Sequence, residues 1–554
     1  LRTTGKSNDA IACYRRAIEL KPDDAIICNS LGIVLVDIGR HDEAMTYYRH
    51  ALELDPNYAA AHYNLGIVLQ ELARFDDALV SYRRALQIDP LFSDAYSTIG
   101  NTLKDQGKMP EAMESYRQAL RLKPDYFDAH SNLLFSCNYM PHQDPASLLA
   151  EAVSFGNAVN GKARPFISWE NNPAPDRALR IGLVSGDLRH HPVGFFLEGI
   201  LAALASNAPT SLKLVAYSTT FATDVLSQRL RSYCHEWHSV VGVADEHLAH
   251  QIHDDQIDIL IDLSGHSAHN RLPMFAWKPA PVQVTWLGYF ATTGVKQIDY
   301  LIADPWTLPN AEENHFTEQI WRLPETRLCF TAPNNDVSVS PLPASRNGFI
   351  TFGCFNNLSK MSDDVVRVWS AIMHAVPDSR LFLKAGQLNQ TVTHQRVVDR
   401  FSVHGIGADR LILQGFSSRA DYLAAYHNVD LALDPFPYTG GTTTVEALWM
   451  GVPVLTLAGA SFVSQQGVGL MMNARLPDWI ATDADDYVSK AVQHASDLQS
   501  LTTLRGGLRE QVLHSPLFDA PRFAHHFEAA LRGMWTQWCA QQQQAQHAVE
   551  SRIH

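Results

Sequence analysis

The stretch Asp430-Leu-Ala-Leu-Asp434, continued by Pro-Phe-Pro-Tyr-Thr-Gly440 and Gly441-Thr-Thr-Thr-Val-Glu446, runs through Ala447, Leu448, Trp449 and Met450 into Gly451-Val-Pro453. Its short apolar run reads as a buried strand that ends at Asp434. A loop with two glycines follows, and a helix begins at about Thr443. Gly440 and Gly441 let the backbone approach a ligand closely. The first amides of a helix have no intrahelical acceptor, so together with the hydroxyls of Thr442, Thr443 and Thr444 they suit a diphosphate. Glu446 lies one turn into the helix, where its carboxylate can take both hydroxyls of a ribose. The plainer alternative is an ordinary N-cap leading into a core helix.

Working outward, the same alternation of strand and helix recurs on both sides. Upstream lie a strand at 349–355, a helix at 362–376, strands at 380–385 and 410–414, and a helix at 418–428. Downstream, 453–457 is another strand. An earlier α/β stretch opens with Leu179-Arg-Ile-Gly-Leu-Val-Ser185 and continues through strands at 212–218, 257–263 and 282–287. Strands and helices alternating at these lengths predict two doubly wound, Rossmann-like lobes, 178–345 and 346–516, with a cleft at the carboxyl ends of their strands. The Pro- and Ser-rich stretch 338–347 reads as the hinge between them. Residues 137–177 read as a linker, with a helix near 145–159 and then Pro165, Pro173 and Pro175. Residues 517–554 supply a last helix, 521–541, able to pack back on the first lobe, and a Gln541–Gln544 run expected to fray.

The front of the chain is different. Pro22, Pro56, Pro90 and Pro124 stand 34 residues apart, and Gly32, Gly66 and Gly100 keep the same step. So do Ala10, Ala44, Ala78 and Ala112, Tyr14, Tyr48, Tyr82 and Tyr116, and Ala17, Ala51, Ala85 and Ala119. This period, with these residue types, is that of the tetratricopeptide helix–turn–helix repeat, and predicts an all-α superhelix over 1–136. Alanines let paired helices approach, aromatics fill the gaps, and Pro ends the second helix of each pair. Leu134 takes the glycine position in a terminal helix. Residue 1 falls inside a repeat, so the natural start is expected upstream of it. Stacked repeats leave a groove for an extended peptide or a partner protein; a structural spacer is the alternative.

Composition narrows the function classes. A chain of 554 residues exceeds one hydrophobic core. A net charge of −14 excludes a general nucleic-acid binder, whose phosphate contacts need a basic face. The seven cysteines form no CxxC pair, so neither a zinc site nor a disulfide framework is expected. No apolar run is long enough to span a bilayer and no signal peptide is visible, which makes cytoplasmic the plain expectation.

The segment Asp-Pro-x-Pro-Tyr-x-Gly-Gly-Thr-Thr-Thr-x-Glu-Ala-Leu-x-x-Gly-Val-Pro-Val resembles the donor-binding signature of the O-GlcNAc transferase family, and the resemblance extends over essentially the whole chain. It implies repeats followed by the GT-B layout of two Rossmann-like lobes. Animal members carry a His where Gly441 stands and an Asp where Glu446 stands. Gly353-Cys-Phe-Asn-Asn-Leu-Ser-Lys360 resembles the family's Phe-Asn-x-x-x-Lys loop, which implies that Lys360 neutralises charge on the leaving UDP and that Asn357 sits beside the nucleotide. Phe416-Ser-Ser-Arg419-Ala-Asp-Tyr422 resembles the base-binding loop: Tyr422 would stack on uracil and Arg419 would meet phosphate. In the first lobe, Ser185-Gly-Asp-Leu-Arg-His-His-Pro-Val-Gly194 holds His191-Pro192, which matches the family's His-Pro element. An imidazole there can accept a proton or orient the acceptor hydroxyl; His190 is the alternative. Asp262 and His266, in Leu260-Ile-Asp-Leu-Ser-Gly-His266, either line the cleft or serve the core. Leu287-Gly-Tyr-Phe-Ala-Thr-Thr-Gly294 resembles a loop near the sugar.

The resemblance implies transfer of GlcNAc from UDP-GlcNAc to Ser or Thr hydroxyls of proteins, with inversion, and a protein or peptide acceptor along the repeat groove. The asparagine ladder that grips the acceptor in animal members is half present here, as Ser30, Asn64, Thr98 and Asn132. No metal and no other cofactor is expected. The nearest Asp-x-Asp, Asp483-Ala-Asp485, precedes a helix and reads as an N-cap, leaving the charge role to Lys360, Arg419 and the helix start. The alternatives are a transferase for another UDP-sugar or a non-protein acceptor, and a repeat scaffold with weak catalysis.

Overall fold

A computed structural model describes residues 7–141, 143–207, 211–221 and 223–553; the part of the repeat reading that falls on residues 1–6 lies outside them. The chain divides after Ser136 into two compact units.

The first unit is all-α. Its helices are Ser7–Leu20, Ala25–Asp37, His41–Leu54, Ala59–Glu71, Phe75–Ile88, Ser93–Asp105, Met109–Leu122 and Phe127–Cys137. Pro22, Pro56, Pro90 and Pro124 each fall two residues beyond a helix end. The structure joins two periodicities that the sequence presents separately. A Cβ on Gly32, Gly66 or Gly100 would lie 2.5, 2.4 or 2.5 Å from the Cε1 atom of Tyr48, Tyr82 or Tyr116. Each tyrosine ring therefore fills the space its glycine leaves, and all three rings are buried. Three of the four ladder positions are engaged within this unit: Asn64 Nδ2 donates to Asn29 Oδ1 at 2.9 Å, and the Ser30 and Thr98 hydroxyls donate to the carbonyls of Ile26 and Asp94.

The second unit holds two all-parallel sheets. The first contains β1 (Leu179–Ser185), β2 (Leu212–Ser218), β3 (Glu236–Ser239), β4 (Ile259–Asp262), β5 (Val282–Thr285), β6 (Tyr300–Ala303) and β7 (Gln319–Arg322), in the order β3-β2-β1-β4-β5-β6-β7. The second contains β8 (Thr351–Cys354), β9 (Arg380–Lys384), β10 (Leu411–Gln414), β11 (Leu431–Leu433), β12 (Val454–Leu457) and β13 (Ile480–Ala481), in the order β10-β9-β8-β11-β12-β13. The strand order reverses direction between β1 and β4 and again between β8 and β11. A crevice opens at such a switch point, outside the carboxyl ends of the strands. The fold class is thus a tetratricopeptide array followed by two Rossmann-like lobes.

Several details differ from the sequence reading. Strands β3, β6, β7 and β13 are not foreseen: the edge strands Glu236–Ser239 and Gln319–Arg322 mix polar with apolar residues, and Ile480–Ala481 is only two residues long. Helix Thr391–Ser402 is also new. The expected helix at 418–428 is an α-helix over Arg419–Ala424 followed by a 3₁₀ turn, Ala425–Asn428. Part of the hinge, Ala344–Asn347, is a helical turn. The Gln541–Gln544 run does not fray: it lies inside the helix Ala520–Ile553. Extending a formed helix carries no nucleation cost, and Gln is a fair helix former. That helix returns to the first lobe, where Trp286 packs on Phe527 with ring centroids 4.6 Å apart and Arg177 lies 4.7 Å over Trp535.

The linker helix Pro145–Asn160 starts at the N-cap Asp144, whose carboxylate accepts from the Ala146 and Ser147 amides. It packs backbone to backbone: a Cβ on Gly156 would lie 1.8 Å from the Gly294 oxygen, and one on Gly294 (φ +73°) 1.9 Å from the Ala152 oxygen. Among the described residues no helix is long and apolar enough to cross a membrane.

The Gly–Tyr fit is directly testable. Gly66→Ala, which in an open helix would gain about 1 kcal/mol, is expected to destabilise the repeat unit by about 1–3 kcal/mol through overpacking. Thermal unfolding followed by circular dichroism reads this out, and adding Tyr82→Leu to Gly66→Ala should cost less than the two single changes summed.

Candidate active site

The second lobe's switch point is framed by the segments that follow β8 and β11. Asp434 directly follows β11 and is 1% exposed. Oδ1 accepts the Gly440 N–H at 2.6 Å and Oδ2 the Thr456 hydroxyl at 2.9 Å. Burial pushes its pKa up to about 6 against the pull of the Gly440 amide and Lys360. This ties the Pro435–Gly440 loop into a tight return. A Cβ at Gly440 would meet Thr444 Oγ1 at 2.5 Å and Thr443 Oγ1 at 2.7 Å, so only glycine fits. Helix Thr442–Trp449 then starts at the N-cap Gly441. Gly441, Thr442 and Thr443 are half-buried, whereas Thr444 is 2% exposed and lines a narrow crevice beside Asn356 and Asp434.

Across that crevice, Phe355–Lys360 leaves β8. Asn356 Oδ1 accepts both from Lys360 Nζ, at 3.1 Å, and from Thr443 Oγ1, at 3.1 Å. Lys360 Nζ also donates to the Thr439 oxygen at 2.9 Å and lies 4.1 Å over the Tyr438 ring. Burial pushes the Lys360 pKa down to about 8, opposed chiefly by Asp434. The ammonium is therefore held beside the helix start. Asn357 faces outward; its Oδ1 caps the Ser359 N–H at 2.9 Å and accepts from Gln387 Nε2 at 2.6 Å.

A cavity of about 410 Å³ adjoins this loop, lined by Phe355, Asn357, Lys384, Gln387, Arg419 and Tyr422 among others. Tyr422 meets Phe355 edge-on at 5.5 Å. Arg419, read from sequence as a phosphate contact, pairs with Glu446 Oε1 at 2.6 Å and lies 5.2 Å from the Phe195 ring. Glu446 is 1% exposed; burial raises its pKa and Arg419 lowers it.

In the first lobe the loop after β1 carries both candidate histidines. His190 is exposed; its N–H donates to Asp224 Oδ2 at 2.8 Å and its ring meets Phe195 edge-on at 4.8 Å. His191 is half-buried. Its Nδ1 accepts the Val193 N–H at 3.3 Å and lies 3.6 Å from Asp187 Oδ1. Burial lowers its pKa, with Asp187 opposing, so the ring is neutral at neutral pH. With Nδ1 accepting, the proton sits on Nε2.

The other two candidates belong to the core. Asp262 accepts from the Ser264 and Gly265 amides and the Thr285 hydroxyl, and burial lifts its pKa to about 6. His266 is buried between Phe155 and Tyr289, with Nε2 3.0 Å from the Thr293 oxygen. The loop Tyr289–Gly294 is held by buried Glu318, which accepts from the Thr292 hydroxyl at 2.6 Å and the Thr293 N–H at 2.7 Å.

Sequence reasoning did not single out Asn356, Lys384, Gln466 or Arg327. Asn356 stands next to Asn357 in the quoted loop, and Lys384 ends a strand. Gln466 shows only as a polar residue within the mostly apolar helix Phe462–Asn473. Among the described residues no group of three or more His, Cys, Asp or Glu side chains is placed to hold a metal. Asp483 caps the Asp486 N–H, as its sequence suggests.

With this geometry in place, comparison with known proteins is informative. The model of glycosyl transferase family 41 matches residues 154–331 and 342–527. Tetratricopeptide models match 1–39, 32–72, 59–92 and 100–133. A Solanum lycopersicum protein named probable UDP-N-acetylglucosamine–peptide N-acetylglucosaminyltransferase SPINDLY is 38% identical over 417 residues, 74% of this chain and 44% of its own length. The Arabidopsis thaliana protein of the same name ending in SEC is 29% identical over 380 residues, 66% of this chain and 38% of its own. The chain thus spans less than half the length of these curated relatives. The solved structure of a mutant O-GlcNAc transferase from Thermobaculum terrenum superposes with a TM-score of 0.85 at 34% identity, covering 93% of this chain and 98% of that one. The chain belongs to glycosyl transferase family 41.

Proposed function

We propose that this protein transfers GlcNAc from UDP-GlcNAc to Ser or Thr hydroxyls of a protein acceptor, with inversion and without a metal. The observation that carries the reading is the second lobe's switch point, where the Lys360 ammonium and the start of helix Thr442–Trp449 converge through Asn356. A diphosphate seated there meets helix amides and a cation in a partly desolvated site, where both are worth more than in water. Glu446, oriented by Arg419, faces the ribose, and Tyr422 stacks on the base. The acceptor hydroxyl attacks the anomeric carbon as the sugar–phosphate bond breaks; the electron pair leaves with UDP toward Lys360, and the hydroxyl proton passes to the departing diphosphate as its negative charge grows. His191, protonated on Nε2, orients the acceptor oxygen. The repeat unit supplies a surface for an extended polypeptide, as solenoid arrays do. A net charge of −14 keeps nucleic acid off the list of partners. Seven free thiols suit a reducing, cytoplasmic setting.

Transfer of radiolabelled sugar from UDP-GlcNAc to lysate proteins tests the reading. Lys360→Met is expected to lower kcat by roughly 10²–10³, the usual cost of one oxyanion stabiliser. Unchanged labelling in that variant would remove the leaving-group role. Transfer should persist in EDTA, and calorimetry should show UDP-GlcNAc binding more tightly than UDP-glucose.

The pH profile supplies a second test. Lys360 titrates near 8 in the protein alone. Its neutral amine offers the diphosphate no positive charge, so kcat/KM for the donor should fall as pH rises through about 8. That limb should be missing in Lys360→Met. Arg419→Ala strands a buried carboxylate and should lower stability by about 1–3 kcal/mol while weakening UDP binding.

A further inference from the structure

Arg327 follows β7 in the first lobe and is 1% exposed. Its guanidinium lies 5.1 Å from the Phe290 ring and 4.7 Å from the Phe462 ring. Among the described residues it forms no ion pair with a carboxylate; Asp304 Oδ2 instead accepts its backbone N–H at 2.9 Å, and its backbone oxygen accepts from Trp286 Nε1 at 3.0 Å. A buried charge without a carboxylate is expensive, and two ring faces return only part of that. Its Nε is buried with no hydrogen-bond partner among the described residues.

The side-chain hydrogen bond the guanidinium makes reaches into the other lobe. Its NH2 donates to Gln466 Oε1 at 3.0 Å, and Gln466 Nε2 donates to the Gly440 oxygen at 3.2 Å. Gln466 is 2% exposed. Because a guanidinium only donates, the Gln466 atom facing it is the carbonyl oxygen, which commits the NH2 group to Gly440. In a trans peptide the carbonyl of Gly440 and the N–H of Gly441 point in opposite directions. Holding the oxygen against Gln466 therefore turns the Gly441 N–H away from the buried helix Phe462–Asn473. The same amide explains the missing side chain at 441, since a Cβ there would lie 2.9 Å from Gln466 Nε2.

We propose that Gln466, locked by Arg327, is a positioning residue that aims the Gly440–Gly441 peptide at the donor's diphosphate, so that the first lobe sets the phosphate-binding loop of the second. This rests on the nucleotide reading of the cleft. Once a diphosphate is bound, its charge also offsets the isolated cation of Arg327.

Calorimetry with UDP and amide hydrogen exchange on the full chain test this. Gln466→Glu pairs the buried guanidinium but cannot donate to Gly440. It should keep or raise the thermal midpoint yet weaken UDP binding at least tenfold, a split that a purely structural role does not produce. Gln466→Leu should weaken UDP binding at least tenfold and speed exchange of the Gly441 and Thr442 amides at least tenfold in the protein alone. Wild-type UDP affinity and wild-type exchange in both variants would overturn the proposal. If the wild type itself binds no UDP, the nucleotide reading fails, and exchange at Gly441 alone decides whether Gln466 orders the loop.

Discussion

One buried carboxylate organises the second lobe's site. Asp434 receives the Gly440 N–H and the Thr456 hydroxyl, while its backbone oxygen accepts from Tyr487 at 3.0 Å. Hydrogen bonds to a charged acceptor are worth about 1.5–3 kcal/mol each, and a buried carboxylate that loses them is costly. The loop between β11 and the next helix therefore has little freedom. With Gly440 fixed, Thr439 offers its oxygen to Lys360 and Thr443 offers its hydroxyl to Asn356. Both walls of the crevice thus refer back to the same side chain. The fold does its part by ending β8 and β11 side by side at the reversal of strand order.

Much of this was legible in the sequence, for a definable reason. The repeat period is a local signal repeated several times, and β1, β2 and the helix Thr442–Trp449 are written in contiguous residues with clear punctuation. The loops after β8 and β11 are legible on the same ground. Contacts between distant residues are not. Arg327 and Gln466 stand 139 residues apart, and Gln466 and Gly440 stand 26 apart. Neither residue carries a pattern that marks it. The Gly–Tyr fit of the repeats is an intermediate case, since both periods are visible but only the packing shows that one explains the other.

The histidine question shows where strand-end reasoning stops. Residues after β1 and after β4 both sit at the first lobe's switch point, so His191 and His266 are equal candidates on topology alone. Their neighbours separate them. The Tyr289–Gly294 loop, pinned by Glu318 and by the linker helix at Gly156, covers His266 and supplies the oxygen its ring binds. On the loop after β1, by contrast, His190 is exposed and His191 half-buried. A position at the carboxyl end of a strand is necessary for a cleft residue and insufficient by itself.

The charges of the site share a feature that bears on ligand choice. Lys360 and Arg327 are both pushed below their ordinary pKa values by burial, to about 8 and about 10, and among the described residues neither is in direct contact with a carboxylate. Glu446, by contrast, has Arg419. Asp434 and Asp304 act on these cations from a distance, so their burial is only partly offset in the protein alone. A neutral ligand would leave that cost unrelieved and add its own desolvation. A ligand with a diphosphate relieves it, and relieves it further as negative charge accumulates on the leaving phosphate. Interactions that strengthen as the bond breaks lower the barrier rather than merely the binding constant. On the nucleotide reading proposed above, the cost of burying these cations in the ligand-free state would favour a diphosphate and speed its departure.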